Sequence, residues 1–458
     1  MAQHSRKADM FAAMLDEAAL GDESLRLCQA LLQIDTTNPP GRERPAADLL
    51  ATELAAAGLE PKVFESAPGR GSVVARLRGT GAEPPLLLSA HLDVVESDAA
   101  SWTHPPFAGT ITDGFLWGRG AVDMKNMAAM SVALVCALAR RGARLRRDLI
   151  FAGVADEEAG SDHGAAWLCD HHPDLVRAEY GLGEVGGFTL YLGGAKLYPV
   201  QVAEKGYAWL RARVRGEPGH GSMPRADSSV LKLAAALTRL GHAALPPHPT
   251  AVVTAFVEAA TRRARYLRPL LSRLLSPRLA PLVLRMLPDR GVARALGAML
   301  ANTAAPTVLR AGSKTNVIPG LAEAEIDGRT LPGQSTTDLL RELSQILGPE
   351  VELEVMRQAP PLVTEPMRSP LFETISEVIA ARDPGAIVVP YLTPGFTDGK
   401  CFSRLGTKWV GFTPVQLPRG LRFADLYHGN DERIPVAGLR WGAATLADVV
   451  CRTTGASM

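Results

Sequence analysis

Leu86-Leu87-Leu88-Ser89-Ala90-His91-Leu92-Asp93 is the stretch whose reading decides the fold. It opens as a short apolar run, the mark of a buried strand. It closes with an imidazole and a carboxylate two positions apart, which on a strand point to one side. A second apolar run, Leu149-Ile150-Phe151-Ala152-Gly153-Val154, leads in the same way into Ala155-Asp156-Glu157-Glu158-Ala159-Gly160. A third acid, Asp123, stands in Gly118-Arg119-Gly120-Ala121-Val122-Asp123-Met124-Lys125, just before a helical segment.

Working outward, helical patterns at 22–34, 45–58, 125–141 and 163–171 alternate with strands at 73–77, 86–89 and 149–154. This alternation predicts an α/β layer domain with helices on both faces of a sheet. Ligands in such domains sit beyond the carboxyl ends of strands, where His91, Asp123, Glu157 and Glu158 fall. The texture changes near residue 198. Segments 200–215 and 317–329 alternate apolar and polar residues, as half-exposed strands do. Helical runs at 226–242, 264–301 and 335–347 and a strand at 351–355 complete a compact α+β module. After the Pro-rich break at 359–362, a helix (368–382), strands (386–390, 407–412) and a last helix (435–451) return to the first domain. The expected division is 1–198 and 361–458 for a catalytic domain in two parts, with 199–360 inserted and a helical elaboration at about 260–303. The run from Leu267 to Leu296, rich in Leu, Arg and Pro, reads as part of that elaboration, burying Leu and exposing Arg. The competing reading is a basic amphipathic surface that touches lipid; the prolines argue against one long lipid-facing helix.

With 458 residues the chain is long enough for two or three domains. A net charge of +1 gives no overall field for nucleic acid or an anionic membrane. The five cysteines are scattered without C-x-x-C spacing, which argues against a thiolate zinc site and a disulfide framework and fits a reducing cytoplasm. Residues 1–9 are polar and lack a signal-peptide core. The apolar stretch 127–139 is too short to span a bilayer, so no membrane span is expected.

Each candidate has a functional and a plainer reading. His91 with Asp93 is a ligand and its orienting acid, or a polar strand end. Asp123 is a carboxylate bridging two cations, or an N-cap. Glu157 and Glu158, with Asp156 before them, would repel one another unless a cation intervened; otherwise they are a solvated acidic loop. In the functional reading one Glu ligates metal and the other moves protons. Glu184 in a glycine-rich loop and His428 before the last helix extend the set. In the inserted module, His220 in Pro218-Gly219-His220-Gly221 is an oxyanion donor or a surface His. Arg329, with Asn316 nearby in the pattern, clamps a carboxylate or forms a structural ion pair.

The order of these motifs resembles the dinuclear-zinc peptidase and amidohydrolase family of aminoacylase, glutamate carboxypeptidase, acetylornithine deacetylase and succinyl-diaminopimelate desuccinylase. The resemblance runs from about residue 22 to 451. The Glu184-Val185-Gly186-Gly187-Phe188 form is nearest the vacuolar-carboxypeptidase-like and N-acyl-amino-acid hydrolase branch. It implies a phosphorylase/hydrolase-like three-layer α/β/α catalytic domain with an inserted α+β, ferredoxin-like lid that commonly serves dimerisation. It implies two divalent ions, zinc by preference, with cobalt and manganese also suited to such O/N ligands. His91, Asp123 and Glu184 would hold one ion, and Asp123, Glu158 and His428 the other. Asp93 would support His91, and Glu157 would be general base and acid. His220 would stabilise the oxyanion, and Asn316 and Arg329 would bind the substrate's α-carboxylate. Gly395 would stand in a substrate-binding Gly-Gly-Thr-Asp stretch that this chain matches only in part. The implied activity is hydrolysis of an amide bond beside a free α-carboxylate, in N-acyl amino acids or short peptides. An anabolic deacetylase or desuccinylase is the alternative; a catalytically silent binding protein would have lost a ligand or Glu157, and neither is lost.

Overall fold

The computed structural model describes residues 11–12, 15–262, 266, 268–287 and 290–458. The stretch 1–9 and Leu267 lie outside the described residues. The chain forms two compact units: Met1–Val202 with Thr364–Pro390 and Thr397–Met458, and Ala203–Val363 with Tyr391–Phe396.

The first unit is built on a mixed sheet in the order Lys62–Glu65, Gly71–Leu77, Leu149–Val154, Leu86–His91, Tyr180–Gly183, Lys408–Gly411, Ala195–Glu204. Its four central strands, Leu149–Val154 to Lys408–Gly411, are parallel. Every residue of Leu86–His91 and Leu149–Val154 is buried, which is why both read as unbroken apolar runs. Glu17–Leu32, Arg44–Ala56, Lys125–Arg140 and Val436–Thr454 pack as one helical layer, and Ala165–His171, Pro173–Val176 and Gly399–Ser403 as another. Lys125–Arg140 is apolar nearly all round because it is sandwiched. Its first residue, Lys125, is fully buried and donates to Leu31 O at 3.0 Å and Ile34 O at 2.8 Å, at the end of Glu17–Leu32. That satisfies carbonyls a helix end leaves open. Glycine at 183 lets its strand lie against Trp409: a Cβ there would fall 2.2 Å from the indole Cζ2.

The second unit has an antiparallel sheet in the order Thr303–Ala311, Leu321–Thr330, Gly206–Arg215, Glu352–Ala359. With Ser229–His242 and Thr336–Leu347 the chain order is β-α-β-β-α-β, the ferredoxin-like arrangement. Leu210, Val214 and Ile326 meet Leu233, Leu240, Leu339 and Leu343 in one core. A capping box between Ser335 and Asp338 starts the second helix. The expected helical run at 264–301 is broken into Arg268–Leu271, Ser272–Leu275, Ala280–Met286 and Arg290–Leu300, preceded by Ala251–Thr261. Pro281 stands in a first turn, where a missing N–H costs nothing. Tyr391–Phe396, read in sequence as part of 361–458, groups with this unit. Its rings explain why: Tyr391 lies 6.5 Å from Phe256, and Phe396 lies 5.5 Å from Tyr207. No helix among the described residues is long and apolar enough to cross a membrane, and the five cysteines are free thiols.

Candidate metal centre

Three of the four parallel strands deliver acid or imidazole groups at their carboxyl ends. Leu86–His91 ends on His91, Leu149–Val154 leads to Glu157 and Glu158, and Tyr180–Gly183 leads to Glu184. Asp123 arrives from the loop before Lys125–Arg140, and His428 from the turn before Arg433–Pro435.

Asp123 stands between the two imidazoles. Its Oδ1 lies 3.0 Å from His91 Nε2, and its Oδ2 lies 3.1 Å from His428 Nε2. Glu184 Oε2 is 3.7 Å from His91 Nε2, and Glu158 Oε2 is 3.1 Å from His428 Nε2. Three triads therefore offer converging ligand atoms: His91, Asp123 and Glu184; Asp123, Glu158 and His428; and His91, Glu157 and Glu158. His91, Asp123, Glu157 and Glu184 are buried, while His428 is exposed at the rim.

The surrounding groups hold these in place. The His91 ring presents Nδ1 to the Asp93 carbonyl oxygen at 3.0 Å, which turns Nε2 toward Asp123. The Asp93 carboxylate accepts from the backbone N–H of Glu157 at 3.1 Å, of Glu158 at 3.0 Å and from Asn38 Nδ2 at 2.8 Å. One acid thus ties the His91 strand to the acidic turn. Asp156, left-handed at φ 70°, accepts from Arg70 Nη2 at 2.5 Å and His163 N at 2.9 Å. Glu432 accepts from the backbone N–H groups of Gly120 at 2.9 Å, Val122 at 2.7 Å and Asp123 at 3.1 Å, and from Arg119 at 2.9 Å. Val185 and His428 also hold left-handed backbone, at φ 60° and 55°. Non-glycine residues rarely adopt that region, and its clustering beside ligand groups is characteristic of sites where geometry is imposed.

Asn38, Arg70, Glu432 and Asp398, whose carboxylate accepts from Ser161 Oγ at 2.7 Å, were not singled out in the sequence. Asn38 stands in Thr36-Thr37-Asn38-Pro39-Pro40-Gly41, a stretch with the composition of a turn. Glu432 stands four positions past His428, close enough to have been weighed with it. Only tertiary contacts give Arg70 and Asp398 their partners.

The charge balance asks for cations. Burial pushes the Glu157 carboxyl well above its usual range, helped by Glu184 and Glu158. Burial raises Glu184 to about 7 and Asp398 to about 8, against the pull of His91 on both. Burial alone would lower the imidazoles, but Asp123, Asp93 and Glu184 raise His91 well above its usual value, and Asp123 and Glu158 lift His428 to about 10. Glu158 Oε1 and both Glu184 oxygens are buried without a hydrogen-bond partner. Buried unpartnered carboxylate oxygens facing imidazole nitrogens fit divalent ions of hard or borderline character.

In the second unit, the strand Gly219–His220 pairs with Val317–Ile318, and Gly221 N donates to Asn316 O at 2.9 Å. His220 and Asn316 are thus close along one hairpin-like ladder, both exposed. Arg329 makes a paired contact with Asp327, Nε to Oδ1 at 2.9 Å and Nη2 to Oδ2 at 3.0 Å, and lies 5.3 Å from the Phe396 ring. Its Nη1 is buried with no hydrogen-bond partner. Next to Phe396, a methyl at Gly395 would meet only Thr393, at 3.8 Å, so packing does not demand glycine there.

Residues 87–452 match the model of peptidase family M20/M25/M40. The chain belongs to this family. A probable carboxypeptidase S-like protein 2 of Dictyostelium discoideum is 30% identical over 373 residues, covering 77% of this chain and 68% of that one. The N-fatty-acyl-amino acid synthase/hydrolase PM20D1 of Xenopus tropicalis is 30% identical over 370 residues, covering 76% and 69%. Among solved structures, the di-peptidase Dug1p of Saccharomyces cerevisiae superposes with a TM-score of 0.71 at 14% identity, covering 98% of this chain and 99% of that one, a likeness of fold. The family expected from the motif order is thus the family found, and the family member is a metal-dependent amide-bond hydrolase.

Proposed function

We propose that this chain hydrolyses the amide bond of N-acyl amino acids or short peptides beside a free α-carboxylate, with two divalent ions, zinc by preference. The observation that carries this reading is Asp123, whose two oxygens face an imidazole each, His91 at 3.0 Å and His428 at 3.1 Å. A carboxylate so placed suits two cations at once. His91, Asp123 and Glu184 would hold one ion, and Asp123, Glu158 and His428 the other. Bound there, the ions supply Lewis acidity toward a carbonyl oxygen and toward water.

The rest is work for the protein's own side chains. Glu157 is the buried acid left over from the two ligand sets, and its carboxyl readily holds a proton. It takes a proton from the attacking water and delivers it to the departing nitrogen. Asp93 fixes the turn that carries Glu157. His220 donates to the oxyanion, and Asn316 with Arg329 Nη1 receives the α-carboxylate; the unpartnered Nη1 supports that role, while the pairing with Asp327 orients the guanidinium. The similarity to a carboxypeptidase S-like protein and to N-fatty-acyl-amino acid synthase/hydrolases favours this substrate class over an anabolic deacylase. Five free thiols support a reducing cytoplasm as its location, and the second unit is proposed as a dimerisation surface on the family resemblance.

A panel of N-acetyl, N-succinyl and long-chain N-acyl amino acids and dipeptides, each also as its carboxamide, tests the reading. Free acids of the acyl or dipeptide class should be cleaved at least about tenfold faster in kcat/KM than their carboxamides, the scale of one charge-assisted contact. Equal rates for acid and amide would refute the carboxylate requirement.

A further inference from the structure

Between Glu258 and Glu323 the sequence holds ten arginines and one lysine against a single acid, Asp289. That is a net charge of +10 within a chain whose total is +1. The charge is therefore concentrated in one part of the second unit, and the rest of the protein is acidic. Among the described residues, Arg262, Arg268, Arg273, Arg278, Arg285, Arg290 and Arg294 are all exposed. Large apolar side chains are exposed among them. Leu282 is 58%, Met286 65% and Tyr266 72% accessible, and Leu279 is also exposed.

Leu282 and Met286 stand on the helix Ala280–Met286, and Leu279 is its N-cap. Its inner face buries Ala280 and Val283. Leu279, Leu282 and Met286, at spacings i, i+3 and i+7, form one outward stripe. Arg278 and Arg285, seven apart, run along the flank of that stripe. A helix that only covered the unit would bury its large apolar side chains and expose its arginine; here Leu282 and Met286 are turned outward with Arg285.

We propose that this face docks on an anionic lipid bilayer. Leu279, Leu282 and Met286 enter the boundary between headgroups and acyl chains, while the arginines meet the phosphates. The charge selects this occupant. A second copy of the chain would bring one strongly basic face against another. Nucleic acid would match the charge but leave the aliphatic stripe in water.

The experiment is flotation of the full-length, metal-loaded protein with vesicles of phosphatidylcholine and phosphatidylglycerol in equal parts, and with phosphatidylcholine alone, at low and high salt. Binding is expected to the anionic vesicles only and to fall at high salt. Arg278→Glu with Arg285→Glu should lower the partition coefficient by about 25-fold or more, the scale of two basic residues at such a surface. Leu282→Ser with Met286→Ser should abolish stable docking while leaving hydrolysis of a soluble substrate unchanged, which also shows that the variant is folded. Several outcomes would overturn the proposal: no flotation with anionic vesicles, equal binding to phosphatidylcholine alone, retention of duplex DNA in place of vesicles, or a dimer in sedimentation that Leu282→Ser with Met286→Ser dissociates.

Discussion

Glu157 and Glu158 are neighbours with different surroundings. Glu158 faces His428 and Asp123, while the Glu157 carboxyl is fully buried among acids. Glu157→Gln should retain both metals, measured by atomic absorption, and lose about 100-fold or more in kcat, the scale of general acid–base catalysis. Full turnover in that variant would move the proton-transfer role elsewhere. Glu432 touches neither imidazole, yet it accepts three backbone N–H groups of the loop that presents Asp123. Glu432→Ala leaves those donors open and frees the loop. Metal affinity, read by competition with a chelator, should fall roughly 10- to 100-fold, as for other groups that orient a ligand. Unchanged affinity would show that the loop holds Asp123 without it. Asp123, His91 and the Glu157-Glu158 pair were legible in sequence because each follows an apolar run or a glycine loop. Arg70 was not, because nothing local distinguishes a buried arginine from an exposed one; Asp398 stands in the stretch after Gly395 that matches Gly-Gly-Thr-Asp in part, but no role was read for it.

At the scale of elements, the parallel strands Tyr180–Gly183 and Lys408–Gly411 bring residues more than two hundred positions apart into register. Trp409 fills the space that Gly183 leaves, and its ring lies 5.6 Å from that of Phe402. A methyl at 183 has no room, so Gly183→Ala should cost about 1–3 kcal/mol, the usual penalty for overpacking a core. Urea unfolding would show the loss as a lower midpoint; an unchanged midpoint would mean that Trp409 can swing aside. Most helices and strands were readable from periodicity. Strand Lys62–Glu65 and the hairpin of Thr110–Thr112 with Phe115–Trp117 were not, being three or four residues long and half-exposed. The run at 264–301 carried helical composition throughout, but its prolines and the packing of short pieces cut it into segments.

At the scale of the molecule, the two units differ in how they spend buried charge. The first gathers carboxylates and imidazoles; among the described residues of the second, Glu204 and Lys205 are fully buried. Lys205 is fully buried and donates to Ala301 O at 2.7 Å and Thr303 Oγ1 at 3.3 Å. Burial, and then Arg329, depress its ammonium to about 7. A cation whose pKa is lower folded than unfolded binds fewer protons in the native state above about pH 7, so stability rises with pH from there toward 10.5. The slope contributed is at most about 1.4 kcal/mol per pH unit. Urea unfolding between pH 7 and 9 should show this rise, and Lys205→Met should flatten it; an equally steep rise in the variant would place the titration elsewhere.

The sequence by itself determined the order of elements, the family, and which side chains are capable of holding metal, because apolar runs and the groups at their ends are local properties. Tertiary structure alone decided that Asp123 would lie between His91 and His428. It also decided that Glu432 would hold its loop, that Gly183 would receive Trp409, and that Leu282, Arg285 and Met286 of one short helix would all face outward. These are contacts between distant parts of the chain, and no local pattern encodes them.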